Sequence, residues 1–210
     1  MKENNKGFSL VELIVVIAIL AILIGAIGAN LGLVKKYNAK ECRQMIYASL
    51  ENGRLITLSK SAGGTTTADT KTYLSFFKNG SDKCNYYAVI VNDEVTDIKK
   101  ISKRGVTIYM GPGNQPVSQS AVNGYASLDA GYTISGLPKS LNKGKITDDI
   151  ATEIKDNGYR VAFNRATGGF LKDASGNVNL SMYAVSGRFY YPVYMYASTG
   201  KIKTGSAIYE

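Results

Sequence analysis

Few side chains in this 210-residue chain could carry chemistry. It contains no histidine, which excludes Ser-His-Asp and Cys-His nucleophile systems and any His-ligated metal site. Its two cysteines, Cys42 and Cys84, cannot by themselves close a four-ligand structural zinc site. Catalysis would have to rest on Ser–Lys or on paired carboxylates, and no spacing singles out such a set. No acidic run has calcium-loop spacing, so neither a metal nor a cofactor is expected. One carboxylate stands apart. Glu12 lies inside an apolar run that begins at Phe8, directly after Gly7. A charge at the centre of a bilayer costs ~3 kcal/mol or more, less near the end of a span, and such residues are usually functional. A lone carboxylate in that setting needs a cation.

The element that positions Glu12 is a long apolar stretch. Residues 1–7, MKENNKG, are polar and carry two lysines; from Leu13 to Ala29 no side chain is charged or strongly polar. As a helix, 13–29 spans roughly 25 Å and 8–34 roughly 40 Å at 1.5 Å per residue, against ~30 Å of hydrocarbon. The segment is therefore long enough to cross a membrane as one helix. Three readings compete: a secretory signal peptide cleaved near Ala26–Gly28 or after Ala29, an uncleaved signal anchor, and a leader cleaved at Gly7–Phe8. Only the third accounts for Gly7, Phe8 and Glu12 together.

Gly7-Phe8-Ser9-Leu10-Val11-Glu12-Leu13 resembles the processing motif of type IV pilins. In that family a glycine precedes the cut, a phenylalanine follows it, and a glutamate lies four residues further on at the head of a long apolar helix. The resemblance covers about the first 30 residues. It implies that a prepilin peptidase cuts after Gly7 on the cytoplasmic side and that the new amine of Phe8 is methylated. It also implies a subunit held in the cytoplasmic membrane with its C-terminus outside, then assembled into an extracellular filament. Glu12 of one subunit would pair with the Phe8 amine of a neighbour, since an unpaired buried charge is costly and so sets axial register. Many relatives carry a helix-bending proline where this chain has Ala29. Gly25, Gly28 and Gly32 are the remaining candidates for loosening the helix.

The resemblance implies an α+β fold: a long N-terminal helix, its apolar half protruding, its amphipathic half packed against an antiparallel β-sheet head. The expected organisation is a leader at 1–7, a membrane and filament-core helix at 8–34, an amphipathic continuation at 35–62 and a globular head at 63–210. Leu31, Val34, Cys42, Met45, Ile46, Leu50 and Ile56 recur near helical spacing and predict the packed stripe. In the head, 86–91 and 106–110 read as strands, 93–102 as a short helix with Val95, Ile98 and Ile101 on one face, and 131–135 as a short strand. Residues 147–157 read as a helix capped by Thr147 and ended by Gly158. A β-rich tail begins at Tyr159, with a hairpin turn at Ser198-Thr199-Gly200.

Cys42 and Cys84 could form a disulfide if the head is extracellular, stabilising by ~4 kcal/mol in the chain-entropy model. The other reading is two buried thiols that never meet. Tyr190, Tyr191, Tyr194 and Tyr196 read as strand packing or as an adhesive surface. Lys99, Lys100, Lys103 and Arg104 read as a solvated helix face or as a contact for DNA or glycans. A formal charge of +9 favours anionic partners in general. The expected role is structural, not enzymatic: a pilin whose filament serves adhesion, motility or aggregation. The alternatives are a pseudopilin of a secretion or DNA-uptake machine and a DNA- or surface-binding minor pilin. The expected partners are other copies of the chain, the peptidase, the membrane and the assembly machinery.

Overall fold

In the computed structural model, which describes residues 9–59, 72–81, 85–92, 94–113, 115–164, 167–171 and 179–209, the chain is α+β. Helix α1 runs unbroken over Leu10–Ser59, about 75 Å at 1.5 Å per residue. It is not interrupted at Gly25, Gly28 or Gly32. It is followed by two β-sheets.

The first sheet contains β1 (Thr72–Asn79), β2 (Tyr86–Asn92), β3 (Glu94–Lys100), β6 (Thr133–Ile134), β7 (Tyr159–Phe163) and β8 (Phe170–Leu171). Its order is β3-β2-β1-β7-β8, with β6 pairing parallel to the end of β1, so the sheet is mixed. The second sheet has the order β11-β10-β9-β4-β5. Its strands are β4 (Thr107–Pro112), β5 (Ala126–Ser127), β9 (Leu180–Ser186), β10 (Phe189–Met195) and β11 (Ile202–Thr204). Three shorter helices, α2 (Gln119–Asn123), α3 (Leu128–Gly131) and α4 (Asp148–Asn157), lie between strands in sequence.

The second half of α1 lies across both sheets. Its buried face is Ala39, Cys42, Ile46, Ser49, Leu50, Gly53 and Thr57, alternating steps of three and four that keep one side of a helix in contact. Of the expected stripe, Cys42, Ile46 and Leu50 are buried and Ile56 is half-buried. Leu31, Val34 and Met45 are exposed. The stripe includes small and polar residues because the helix lies close to the sheets: a side chain at Gly53 would press on the Phe163 ring at 3.2 Å.

The central strands of both sheets are buried on both faces. Leu74, Phe76, Tyr86, Ala88 and Ile90 point toward α1, as do Met182, Ala184, Tyr191 and Val193. Tyr73, Phe77, Tyr87 and Val89 point away, into a second core closed by Ile134, Leu137, Leu141 and Ile154 of α4. Tyr183, Tyr190 and Tyr194 point away in the other sheet, against Val122 of α2. Two-sided burial explains why β2, β9 and β10 read as continuous apolar runs rather than alternating ones. It also places the tyrosine cluster: Tyr190, Tyr191 and Tyr194 are core residues and Tyr196 is half-buried, so packing accounts for them.

The expected helix at 93–102 is a strand, β3. Its register against β2 slips between Ile90 and Val91: Val95 faces Val91, but Ile98 faces Val89. The slip is a β-bulge, which inserts one unpaired residue. It returns Val95 and Ile98 to the same side and so imitates a helical spacing of three. Lys99 and Lys100 therefore stand on a strand, and Lys103 and Arg104 in the turn after it. α4 is as expected, with Ile150 N–H donating to Thr147 Oγ1 and Gly158 N–H to the Ile154 carbonyl.

Arg43 closes a gap that proline leaves in the second sheet. Gly205 N–H donates to the Pro192 carbonyl at 3.1 Å, but Pro192 has no N–H to return the bond. The Gly205 carbonyl instead accepts from Arg43 Nη1 of α1 at 2.9 Å. The guanidinium also lies 5.1 Å from the Tyr191 ring centre. Gly205 is required there, since a Cβ would come within 2.7 Å of Pro192. We predict that Arg43→Met lowers unfolding free energy by about 2 kcal/mol, from a lost charged hydrogen bond, a carbonyl left unpaired and a lost cation–π contact. Urea titration of the full chain checks this; a change under ~0.5 kcal/mol would contradict it.

The tyrosine cores also predict alkaline sensitivity. Burial, aided by the Tyr209 hydroxyl, pushes the Tyr191 phenol up to about 12, and burial likewise raises Tyr86, Tyr183 and Tyr194. The folded state holds these protons more tightly than the unfolded state. Their contribution is fully present below pH ~10, the ordinary phenol value, and falls as pH rises toward the folded values. Phenolate absorbance should appear together with loss of circular dichroism above pH ~10; free titration of these phenols in a folded chain would refute it.

Candidate functional site

The N-terminal end of α1 is organised by Ser9 and Glu12. Ser9 N–H donates to Glu12 Oε2 at 2.8 Å, and Glu12 N–H donates to Ser9 Oγ at 3.2 Å. Leu13 N–H donates to the Ser9 carbonyl at 3.2 Å. This is a capping box: Ser9 is the N-cap, Glu12 the third helical residue, and each satisfies an amide the helix start leaves unpaired. The Ser-Leu-Val-Glu spacing was available in the sequence as that signal, alongside the acidic role read for Glu12. A carboxylate has about four lone-pair positions, so the capping bond leaves Glu12 able to accept from a second donor. Gly7 and Phe8 lie outside the described residues.

Among the described residues of α1 between Glu12 and Val34, no large apolar side chain is buried by the head. The described large apolar side chains over 10–24 and 31–34 are exposed, Ile22 by 73 % and Ile24 by 68 %. Glu12 is itself exposed in the single chain. A surface of this kind is not left to water; it marks a site for membrane or for another protein. Among the described residues no helix is long and apolar enough to cross a membrane. The side chains of Ala26, Ile27, Ala29 and Asn30 lie outside the described residues.

Cys42 lies on the buried face of α1 with no disulfide partner among the described residues, and burial pushes its thiol well above the ordinary range. Cys84 lies outside the described residues. Beside Cys42, a groove of about 290 Å³ runs between α1 and residues 100–103. At its edge Lys103 Nζ pairs with Glu41 Oε2 at 2.7 Å. No cluster of metal-ligating side chains occurs among the described residues.

Residues 2–28 match the family model described as the prokaryotic N-terminal methylation motif, which is the type IV prepilin-like leader signature. No curated protein and no solved structure matches the chain. The match ends within the apolar half of α1, so the head stands on its own structure. A long N-terminal helix followed by antiparallel and mixed sheets is consistent with a pilin-like fold. Together the motif and the fold support a type IV pilin-like or pseudopilin protein, a structural class and not a catalytic one.

Glu12→Gln separates the two roles of this residue. Glutamine also completes a capping box but carries no charge. We predict that Glu12→Gln leaves amide-exchange protection at residues 10–13 close to wild type while impairing filament assembly. Normal filament yield from this variant would defeat charge pairing, and loss of protection would show that the carboxylate, not the hydrogen bond, holds the cap.

Proposed function

We propose that this chain is a structural subunit of a type IV pilus, stored in the cytoplasmic membrane after removal of residues 1–7 and polymerised through the apolar half of α1. The observation that carries the reading is the conjunction of the leader signature at 2–28 with a helix whose first half is apolar and exposed. In this reading residues 8–34 form the membrane anchor and then the filament core, and the rest of α1 fastens the head to it. Packing of many such helices would bury Glu12, and the methylated amine of Phe8 on a neighbouring subunit would supply its cation. A carboxylate so buried without a partner would cost several kcal/mol on the order of 3–5, which favours one axial offset between subunits.

A pseudopilin of a secretion or DNA-uptake machine would use the same N-terminal chemistry; sheared surface filaments containing the chain favour the pilus. A bridge between Cys42 and Cys84 in the exported head belongs to the same reading. Its support is that Cys42 shares a core with Tyr86, two positions after Cys84 in the chain. Mass spectrometry of the native protein tests processing and oxidation together. The expected N-terminal peptide begins at methylated Phe8, and the cysteines resist alkylation until reduced. A chain beginning near Asn30, or at Met1, would remove the prepilin reading; alkylation without reduction would remove the bridge alone.

A further inference from the structure

The chain brings three separate segments together where α1 enters the head. The first is α1 itself just past Val34, where Lys35, Lys36 and Lys40 are all exposed. The second is the β3–β4 turn with exposed Lys103 and Arg104, held to the helix by Asn38 Nδ2 donating to the Arg104 carbonyl at 3.3 Å. The third is the β9–β10 hairpin turn, Gly187-Arg188, also exposed. A Cβ on Gly187 would lie 3.2 Å from Lys35 Cδ, and Ser186 Oγ donates to the Gly105 carbonyl at 2.6 Å, so this turn touches both the helix and the other turn. Among the described residues, the acid in these contacts is Glu41, which is paired with Lys103.

Two exposed tyrosines stand among these cations. Tyr37, 62 % exposed, lies under Lys103 at 5.5 Å. Tyr209, 54 % exposed, lies under Lys36 at 5.9 Å and edge-on to Phe189. Cations that bind phosphate, interleaved with amphipathic tyrosines and set immediately beyond an apolar helix, have the composition of a bilayer interface. Four of the eight side chains come from the head rather than the helix, so the head's underside is shaped for the same boundary as the helix end.

We propose that this neck is a collar that seats the head on an anionic phospholipid bilayer surface while the subunit is held in the membrane. The proposal rests on the membrane-storage reading above and adds a partner, the lipid phosphate, and an orientation, with both turns facing the headgroups. Seating is electrostatic and therefore weakens with salt. The apolar anchor does not.

The test uses the full chain reconstituted in bilayers of phosphatidylcholine alone or with phosphatidylglycerol added at about one third, a composition that sets up the negative surface potential involved. Amide exchange in 103–106 and 186–189 is expected to slow roughly tenfold in the anionic bilayer only, and to recover in high salt. R104E/R188E is expected to abolish the slowing while the chain still floats with the vesicles. Equal exchange in both bilayers, with the chain floating normally, would overturn the collar and leave membrane storage intact. Slowing that follows protein-to-lipid ratio rather than phosphatidylglycerol would assign the face to a second copy and overturn it. Salt-sensitive capture of duplex DNA without any lipid effect would assign it to nucleic acid, with the same consequence. A chain that floats with neither bilayer would defeat the storage reading and the collar with it.

Discussion

The head depends on one face of one helix. Ala39, Cys42, Ile46, Leu50 and Gly53 are the surface on which two separate sheets meet, and no strand pairing joins those sheets to one another. Each sheet has a second core of its own on the far side, under α4 or α2. Those outer cores could hold each sheet flat, while α1 is the layer the two sheets share, aided by smaller links such as Phe170 N–H donating to the Ala197 carbonyl at 3.0 Å. Apolar burial at ~25 cal/mol per Å² supplies the adhesion, and close approach at small residues allows it. The same helix whose first half carries the exposed apolar surface is thus the central layer of the fold.

The two halves of α1 show how much environment decides what an apolar residue does. Past residue 39 the apolar positions recur on one side and the rest is polar, as expected of a helix lying on a sheet. Before residue 34 the helix is apolar around its circumference, and its described large apolar side chains are exposed. A helix with that composition has no stable place in water. The chemistry at its tip follows from this: a glutamate that only caps the helix in an isolated chain becomes a charge in need of a counter-ion once the surrounding surface is covered.

What could be read in advance divides along local and long-range lines. The apolar helix, the leader signature and the cap at Thr147 are written in residues within a few positions of one another. So was the Ser9–Glu12 capping box, although the charge on Glu12 drew the reading toward pairing between subunits. β1, central to its sheet, was not legible: Tyr73, Leu74, Phe76 and Phe77 serve two cores at once, so no alternation marks the strand. β3 was misread because a bulge reproduced the helical spacing. The neck cations could be seen singly, but their grouping depends on two turns more than 80 residues apart in sequence meeting at the helix, as the Ser186–Gly105 hydrogen bond records.

The bond from Arg43 to the Gly205 carbonyl has a geometric consequence. A proline in β10 removes a donor, and the vacancy can be filled from the helix only when Arg43 points at that one place on the edge of the sheet. The bond therefore acts as a key, fixing the angle through which α1 is turned about its own axis relative to the head. Because α1 continues without a break to Leu10, and each residue advances the helix by about 100°, that angle is carried undiminished to the tip. The azimuth at which Glu12 leaves the helix is thereby tied to the direction in which the head faces, some 30 residues away. In a helical array, a subunit seated by its tip would have its outward face already chosen.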